Sequence, residues 1–192
     1  MKILVDRLSA TPAPFRFEAG AGWWQQHVRS GPGVPEAPDQ PLEIQGRAYT
    51  LGEDVYLEGT ITGTLELECS RCLARYRHAL REPFRLVLEP AGLRIPADPE
   101  AAAALERNGL CLGDEFEMGW YRGGEIHLDS VCLEVISLAL PVKPLCREDC
   151  AGLCPRCGAE LNQGPCGCQE TRSPSPFDVL ASLRPGKPGG HA

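Results

Sequence analysis

The sequence predicts an α+β fold: a mostly antiparallel β-sheet with long hairpins, a few helices, and a C-terminal cysteine-rich module. Three features lead there. Residues 42–90 contain runs in which apolar and polar residues alternate, the period of a half-buried strand. Two later stretches carry the wider apolar spacing of short helices. Six of the ten cysteines crowd between residues 146 and 168.

The central hairpin is the best-marked element. Val55, Leu57, Ile61, Leu65 and Leu67 share one side of a run, and Glu58, Thr60, Thr62, Thr64 and Glu66 share the other. In the next run Tyr76, Leu80, Phe84, Leu86 and Leu88 oppose Arg75, Arg77, Arg81 and Arg85. Between them lies Cys69-Ser70-Arg71-Cys72. With Ser70-Arg71 as a two-residue turn, Cys69 faces Cys72, Leu65 faces Tyr76, Ile61 faces Leu80, Leu57 faces Phe84, Val55 faces Leu86, and Glu66 meets Arg75. A one-residue slip would turn every apolar side chain to the wrong face.

The remaining elements follow in order. Met1–Leu8 reads as an opening strand. Trp23 and Trp24 are expected to pack on the core, since paired tryptophans have no use in an open linker. The breaker-rich run 31–41 (GPGVPEAPDQP) is a loop. A short helix over Ala101–Arg107 stops at Asn108-Gly109. A second hairpin is expected: Phe116, Met118 and Trp120 alternate, Arg122-Gly123-Gly124 turns, and Ile126 and Leu128 return. Asp129 or Ser130 then caps a helix that turns Val131, Cys132, Val135, Ile136 and Ala139 inward, and Pro141 ends it. The resulting organisation is a mainly β domain over residues 1–140, a cysteine-rich module over 141–170 packed on it, and a tail over 171–192 with a short helix at SPSPFDVLASL.

Charge and targeting signals narrow the function. The net charge is −7, and residues 1–140 hold 13 Lys+Arg against 21 Asp+Glu. Such a balance argues against a nucleic-acid coat protein, which needs a broadly basic surface, and leaves room for a local basic patch. The N-terminus lacks the apolar run of a signal peptide, and no stretch is long and apolar enough to span a membrane. The expected compartment is the reducing cytoplasm, where disulfides rarely persist. Ten cysteines there point to metal.

From Cys146 the spacing is C-x3-C-x3-C-x2-C-x8-C-x-C, through Cys150, Cys154, Cys157, Cys166 and Cys168. Zinc takes four thiolate or imidazole ligands in a tetrahedron, and two cysteines separated by two residues present both sulfurs to one ion. Cys154-Pro155-Arg156-Cys157-Gly158 is such a knuckle. Two partitions fit. In the first, Cys154, Cys157, Cys166 and Cys168 hold one zinc ion, while Cys69, Cys72, Cys146 and Cys150 hold a second. In the other, a single ion is drawn from the six C-terminal cysteines. Iron–sulfur is the rival cofactor. Cys111 and Cys132 are left out, the latter as a small apolar residue of its helix. A full thiolate set has no open position, so the zinc is expected to be structural.

No catalytic motif of the hydrolase, nucleotide-binding or metalloprotease type is present, and no enzyme activity is expected. His78 falls in the apolar register opposite Gly63 and reads as a packed histidine. The arginine row has two readings. Arg75, Arg77, Arg81 and Arg85 could track RNA phosphates, or they could pair with Glu58 and Glu66 on the neighbouring strand. A protein-binding adaptor and a metal-dependent enzyme or redox protein are the alternative classes.

Several separated signatures occur together: LECSRCL at the hairpin tip, LALPVKPLC after the helix, CREDCAGLCPRCGAELNQGPCGC, and PSPFDVLASL. As an ordered set they resemble the YceD family, the large ribosomal RNA subunit accumulation proteins, over roughly residues 40–183. The resemblance implies a role in making or keeping large-subunit ribosomal RNA, with no assigned catalytic activity. The partners it implies are ribosomal RNA or the pre-ribosomal large subunit, or a ribosome assembly protein, and no small-molecule substrate.

Overall fold

Two long antiparallel strands dominate the computed structural model, which describes residues 1–28, 34–93, 96–113 and 117–168. They are β4 (Asp54–Glu68) and β5 (Arg75–Pro90). Preceding them are β1 (Lys2–Leu4), β2 (Ala13–Ala19), the helix α1 (Ala21–His27) and β3 (Leu42–Leu51). After them come α2 (Pro99–Asn108), β6 (Leu110–Leu112), β7 (Met118–Tyr121), β8 (Glu125–His127) and α3 (Asp129–Ala139). The larger sheet has the order β2-β3-β4-β5-β7-β6, and β1 pairs with β8 in a separate two-stranded sheet. The fold is α+β with a mostly antiparallel sheet; the exception is the parallel pairing of β5 with β7. The chain divides into two compact units, the first from Met1 to Cys150 and the second starting at Ala151.

The core lies on one face of the large sheet. Leu42 and Ile44 of β3, Val55, Leu57, Ile61 and Leu65 of β4, and Leu86 and Leu88 of β5 are fully buried. They pack with Ile126, Leu128 and the α3 residues Val131, Cys132, Val135 and Ile136. At this density a missing methylene is felt directly. Gly46 and Gly59 lie opposite each other in β3 and β4. A Cβ at Gly59 would approach the Phe84 ring to 2.6 Å, and one at Gly46 would approach the Phe15 ring to 2.8 Å. Each ring therefore lies on bare backbone, which only glycine permits.

The hairpin register differs from expectation by two residues. Val55 faces Leu88, Leu57 faces Leu86, Gly59 faces Phe84, Gly63 faces Leu80, Leu65 faces His78 and Leu67 faces Tyr76. The connection is longer than a two-residue turn. Cys69 N–H donates to Ala74 O and Leu73 N–H to Cys69 O, both at 2.9 Å, so Ser70–Leu73 form the loop. Leu73 has φ +60°, the left-handed conformation that closes it. A shift of two preserves parity, so the same side chains still reach the core. Glu66 now lies opposite Arg77, yet Arg75 reaches it diagonally at 2.7 Å.

Other elements also depart from expectation. The opening strand stops at Leu4 and continues as a 3₁₀ turn. β2 and α1 form among the breakers of the N-terminal region, where the sequence pattern does not announce them; Trp24 is buried and Trp23 is partly buried, both against the core. Residues 34–41 are free of helix and strand. α2 ends as expected, with Gly109 at φ +68°. β7 and β8 do not form a hairpin: β7 lies between β5 and β6, while β8 leaves to pair with β1. Phe116 and the expected tail helix lie outside the described residues. α3 has no side-chain cap. Asp129 is its first residue, and its carboxylate accepts from the Met1 amine at 2.8 Å and from Trp23 Nε1 at 2.7 Å.

Candidate metal centres

Eight thiols gather into two groups of four. The first is built where the β4–β5 loop meets the segment that follows α3. Cys69 directly follows β4, and Cys72 lies in the loop. Alongside run residues 144–150. Ser70 N–H donates to Pro144 O at 2.9 Å, and Arg71 Nη1 donates to Cys150 O at 2.8 Å. These bonds bring Cys146 and Cys150 to the loop. The Cys69 and Cys150 sulfurs lie 3.7 Å apart, as do those of Cys72 and Cys146. All four sulfurs fall within 4.8 Å of one another.

The spacing has a direct chemical meaning. A disulfide would place two sulfurs at ~2.05 Å. Four sulfurs around one tetrahedral ion, each ~2.3 Å from it, lie ~3.8 Å from one another. The observed distances match the second arrangement. A cluster of several irons would push the thiolates outward around a larger core. Cys69, Cys72 and Cys150 are buried, so such an ion would be largely shielded from solvent.

The thiol acidities are uneven. Burial of Cys69 opposes ionisation, but backbone N–H groups of Cys72, Cys146 and Arg71 aimed at its sulfur prevail and lower its pKa to about 6. Cys146 is pushed up to about 12, by burial first and then by the neighbouring thiols. One thiolate thus forms readily, and a cation would let the remaining protons leave.

The second group lies wholly in the unit that starts at Ala151. Cys154 N–H donates to Ala159 O at 2.8 Å, and Gly158 N–H donates to Cys154 O at 2.9 Å. Gly158 at φ +72° makes the tight turn of the knuckle. Leu153 bridges to Glu160, a 3₁₀ turn follows over Leu161–Gln163, and Ala151 N–H donates to Asn162 Oδ1 at 2.8 Å. Cys154, Cys157, Cys166 and Cys168 then place their sulfurs within 4.8 Å of one another. Cys154 is buried and Cys157 exposed. Backbone N–H groups of Cys157 and Arg156 lower the Cys154 pKa to about 6. The Cys157 thiol, ahead of burial, holds Cys168 up at about 12.

Residues 57–184 match the family described as Large ribosomal RNA subunit accumulation protein YceD. This chain belongs to the YceD family. An uncharacterised protein of Mycobacterium tuberculosis is 31% identical over 124 residues, covering 65% of this chain and 53% of that protein. A Mycobacterium leprae counterpart is 30% identical over 121 residues, 63% of this chain and 49% of that protein. The Arabidopsis thaliana protein named Large ribosomal RNA subunit accumulation protein YCED homolog 1, chloroplastic, is 22% identical over 171 residues, 79% of this chain and 51% of its own length. The chain spans about half the length of the curated relatives it matches. No solved structure matches it.

Other chemically notable residues of this YceD-family chain fall outside both centres. Cys111 and Cys132 are buried apart from the two groups. His78 is half-buried, opposite Leu65 and edge-on to Tyr76. The four arginines of β5 are not equivalent. Arg75 is held by Glu36 at 2.6 Å and Glu66 at 2.7 Å. Arg77, Arg81 and Arg85 are exposed, and no carboxylate among the described residues closes an ion pair with them. The contribution of β2 and β3 to the same face cannot be read from spacing, because β2 itself is masked by its breakers.

Proposed function

We propose that this protein supports the accumulation of large-subunit ribosomal RNA as a binding protein, without catalytic activity, and that both thiol centres hold structural zinc. The observation that carries the proposal is the family match, which spans the hairpin tip and both cysteine centres. The name of the Arabidopsis relative points the same way.

The donor chemistry supports the structural role. Each centre offers four thiols within 4.8 Å of one another, enough to fill the shell of one tetrahedral ion, so zinc would have no open position for a water or a substrate. The first centre would cross-link residues far apart in sequence and contribute its binding energy to folding. The second would shape residues 151–168, which among the described residues bury little apolar surface, and a metal is a usual substitute for a core in such a segment.

The partners proposed are ribosomal RNA, the pre-ribosomal large subunit, or an assembly protein on it, and the compartment is the cytoplasm. No helix of the described residues is long and apolar enough to cross a membrane. The test is a strain lacking the protein. Mature large-subunit RNA should fall relative to small-subunit RNA, and precursor large subunits should accumulate on gradients. An unchanged profile would defeat the proposal.

A further inference from the structure

Away from its end at Glu66 and Arg77, which residues 36–41 adjoin, the face of the large sheet opposite the core is exposed or half-exposed and chemically distinctive. Strand register places its side chains in rows across β2, β3, β4 and β5. One row is Pro14, Arg47, Glu58 and Arg85; the next is Arg16, Gln45, Thr60 and Pro83; the third is Glu18, Glu43, Thr62 and Arg81. Beside the first row, Tyr49 faces Tyr56, their rings 5.2 Å apart and 11° from parallel. Arg16, Gln45 and Arg47 are exposed, as are Arg81 and Arg85. A shallow depression of about 670 Å³ opens among Arg16, Gln45, Arg47, Thr60, Thr62 and Arg81.

Charge on this face is organised. Arg16 is paired with Glu43. Glu58 accepts from Tyr49 Oη at 3.1 Å and has Arg47 and Arg85 as its neighbours on either side. Among the described residues, Arg47, Arg81 and Arg85 have no ion-pair partner within 4.0 Å. Exposed guanidiniums with free donors, set among hydroxyl and amide groups, suit phosphate and sugar oxygens. The tyrosine pair adds an aromatic surface at one end, where the exposed aliphatics Leu51 and Met118 also lie. A protein partner would ask for exposed large apolar residues at the centre of the patch, and there the face offers threonine, glutamine and arginine beside the small Pro83 ring.

We propose that this sheet face, from the Tyr49–Tyr56 pair through Arg47 and Arg85 to Arg81, binds single-stranded RNA. The inference rests on the proposed role in ribosomal RNA accumulation and names the surface and ligand class through which it would act. The four strands span ~14 Å at ~4.8 Å per strand, and Arg81 to Arg85 spans ~13 Å along β5. A short run of nucleotides crosses such a surface with its backbone on the arginines and a base on the tyrosines. Arg75, held by two glutamates, stands outside it.

The test uses the full-length, metal-loaded protein and a labelled single-stranded RNA oligonucleotide in fluorescence anisotropy over a salt series. The combined variant Arg47→Gln, Arg81→Gln and Arg85→Gln should weaken binding by about tenfold or more. It should also flatten the log–log salt slope by ~2, at ~0.7 for each phosphate that an arginine no longer neutralises. Tyr56→Ala should weaken binding about fivefold or more with the slope kept, and Arg75→Gln should change neither. Circular dichroism should show all variants folded, and single Arg81→Gln serves if the combined variant is not. Wild-type affinity in the combined variant would overturn the inference. So would absence of RNA binding by the wild-type protein, or loss of an assembly protein instead of RNA; reduced large-subunit RNA in the deletion strain would then leave the proposed function standing. A normal RNA profile in that strain would overturn the proposed function and this inference with it.

Discussion

The sulfurs of Cys69 and Cys150 lie 3.7 Å apart although 81 residues separate them in the chain. With the Cys72–Cys146 pair at the same distance, they tie the tip of the longest hairpin to the segment beyond α3. Links this remote close a large loop, and holding them restricts the unfolded chain most. A metal ion at this point would act on the fold as a long-range staple.

Metal content is the first expectation. Purified protein should carry two zinc equivalents per chain. Cys69→Ser should remove one, Cys154→Ser the other, and the double variant both. Chelation should speed amide exchange at Ser70, whose N–H donates to Pro144 O. A single equivalent in the wild-type protein, or full content in Cys69→Ser, would refute the two-centre assignment.

The metal-type character of the cysteines was legible because zinc chemistry demands four donors and the knuckle spacing supplies them in pairs, but spacing left two partitions open, and it is the geometry that groups Cys69 and Cys72 with Cys146 and Cys150. The faces of β4 and β5 were legible for a similar reason, since burial imposes period two. Their register was not. Pairing Leu57 with Phe84 or with Leu86 puts the same side chains in the core, and only the loop decides between them. The loop is set by Leu73 in a left-handed conformation, a choice that leucine does not advertise. The pairing of β7 with β5 is equally silent, because partner choice among short strands is a tertiary matter. β2 was hidden by the prolines around its alternating Phe15 and Phe17, although proline is tolerated on an edge strand such as this one.

The register makes a second expectation. Leu57 and Leu86 are fully buried and directly opposite. Leu57→Ala and Leu86→Ala should each cost about 2–5 kcal/mol in urea denaturation. Their double variant should show a coupling larger than that of Leu57→Ala with Leu80→Ala, which lies six residues along β5 from Leu86. Equal couplings would argue against the observed pairing.

Two glycines should respond in opposite directions to alanine. At Gly46 a Cβ would collide with the Glu58 carbonyl oxygen of the paired strand, so β3 and β4 would have to part. Gly46→Ala should destabilise by about 2 kcal/mol or more, an overpacking cost. Gly22, in α1, has open space where a Cβ would sit. Gly22→Ala should stabilise by about 0.5–1 kcal/mol, by reducing the freedom of the unfolded chain and favouring the helix. Denaturation midpoints moving the same way for both would contradict this packing.

Asp129 should make stability depend on acid. Its carboxylate begins α3, where the helix dipole favours negative charge. Burial raises its pKa, but the hydrogen bonds from the Met1 amine and Trp23, with the charges of that amine and His27, prevail and hold it below the ordinary 3.8. A carboxyl that is more acidic in the folded protein binds fewer protons there than in the unfolded chain. Its contribution is therefore complete above about pH 4 and is lost as pH falls through the folded value. Asp129→Asn keeps the shape and one acceptor oxygen while removing the charge. At about pH 7 the variant should be less stable by about 1.5–3 kcal/mol, the usual contribution of a hydrogen bond to a charged group. As pH falls through the folded value the wild-type carboxyl is itself protonated, so the two denaturation curves should converge. A stability gap that stays constant from neutral to acid would show that Asp129 acts by shape and packing, and that its charge adds nothing to the junction of α3, α1 and β1.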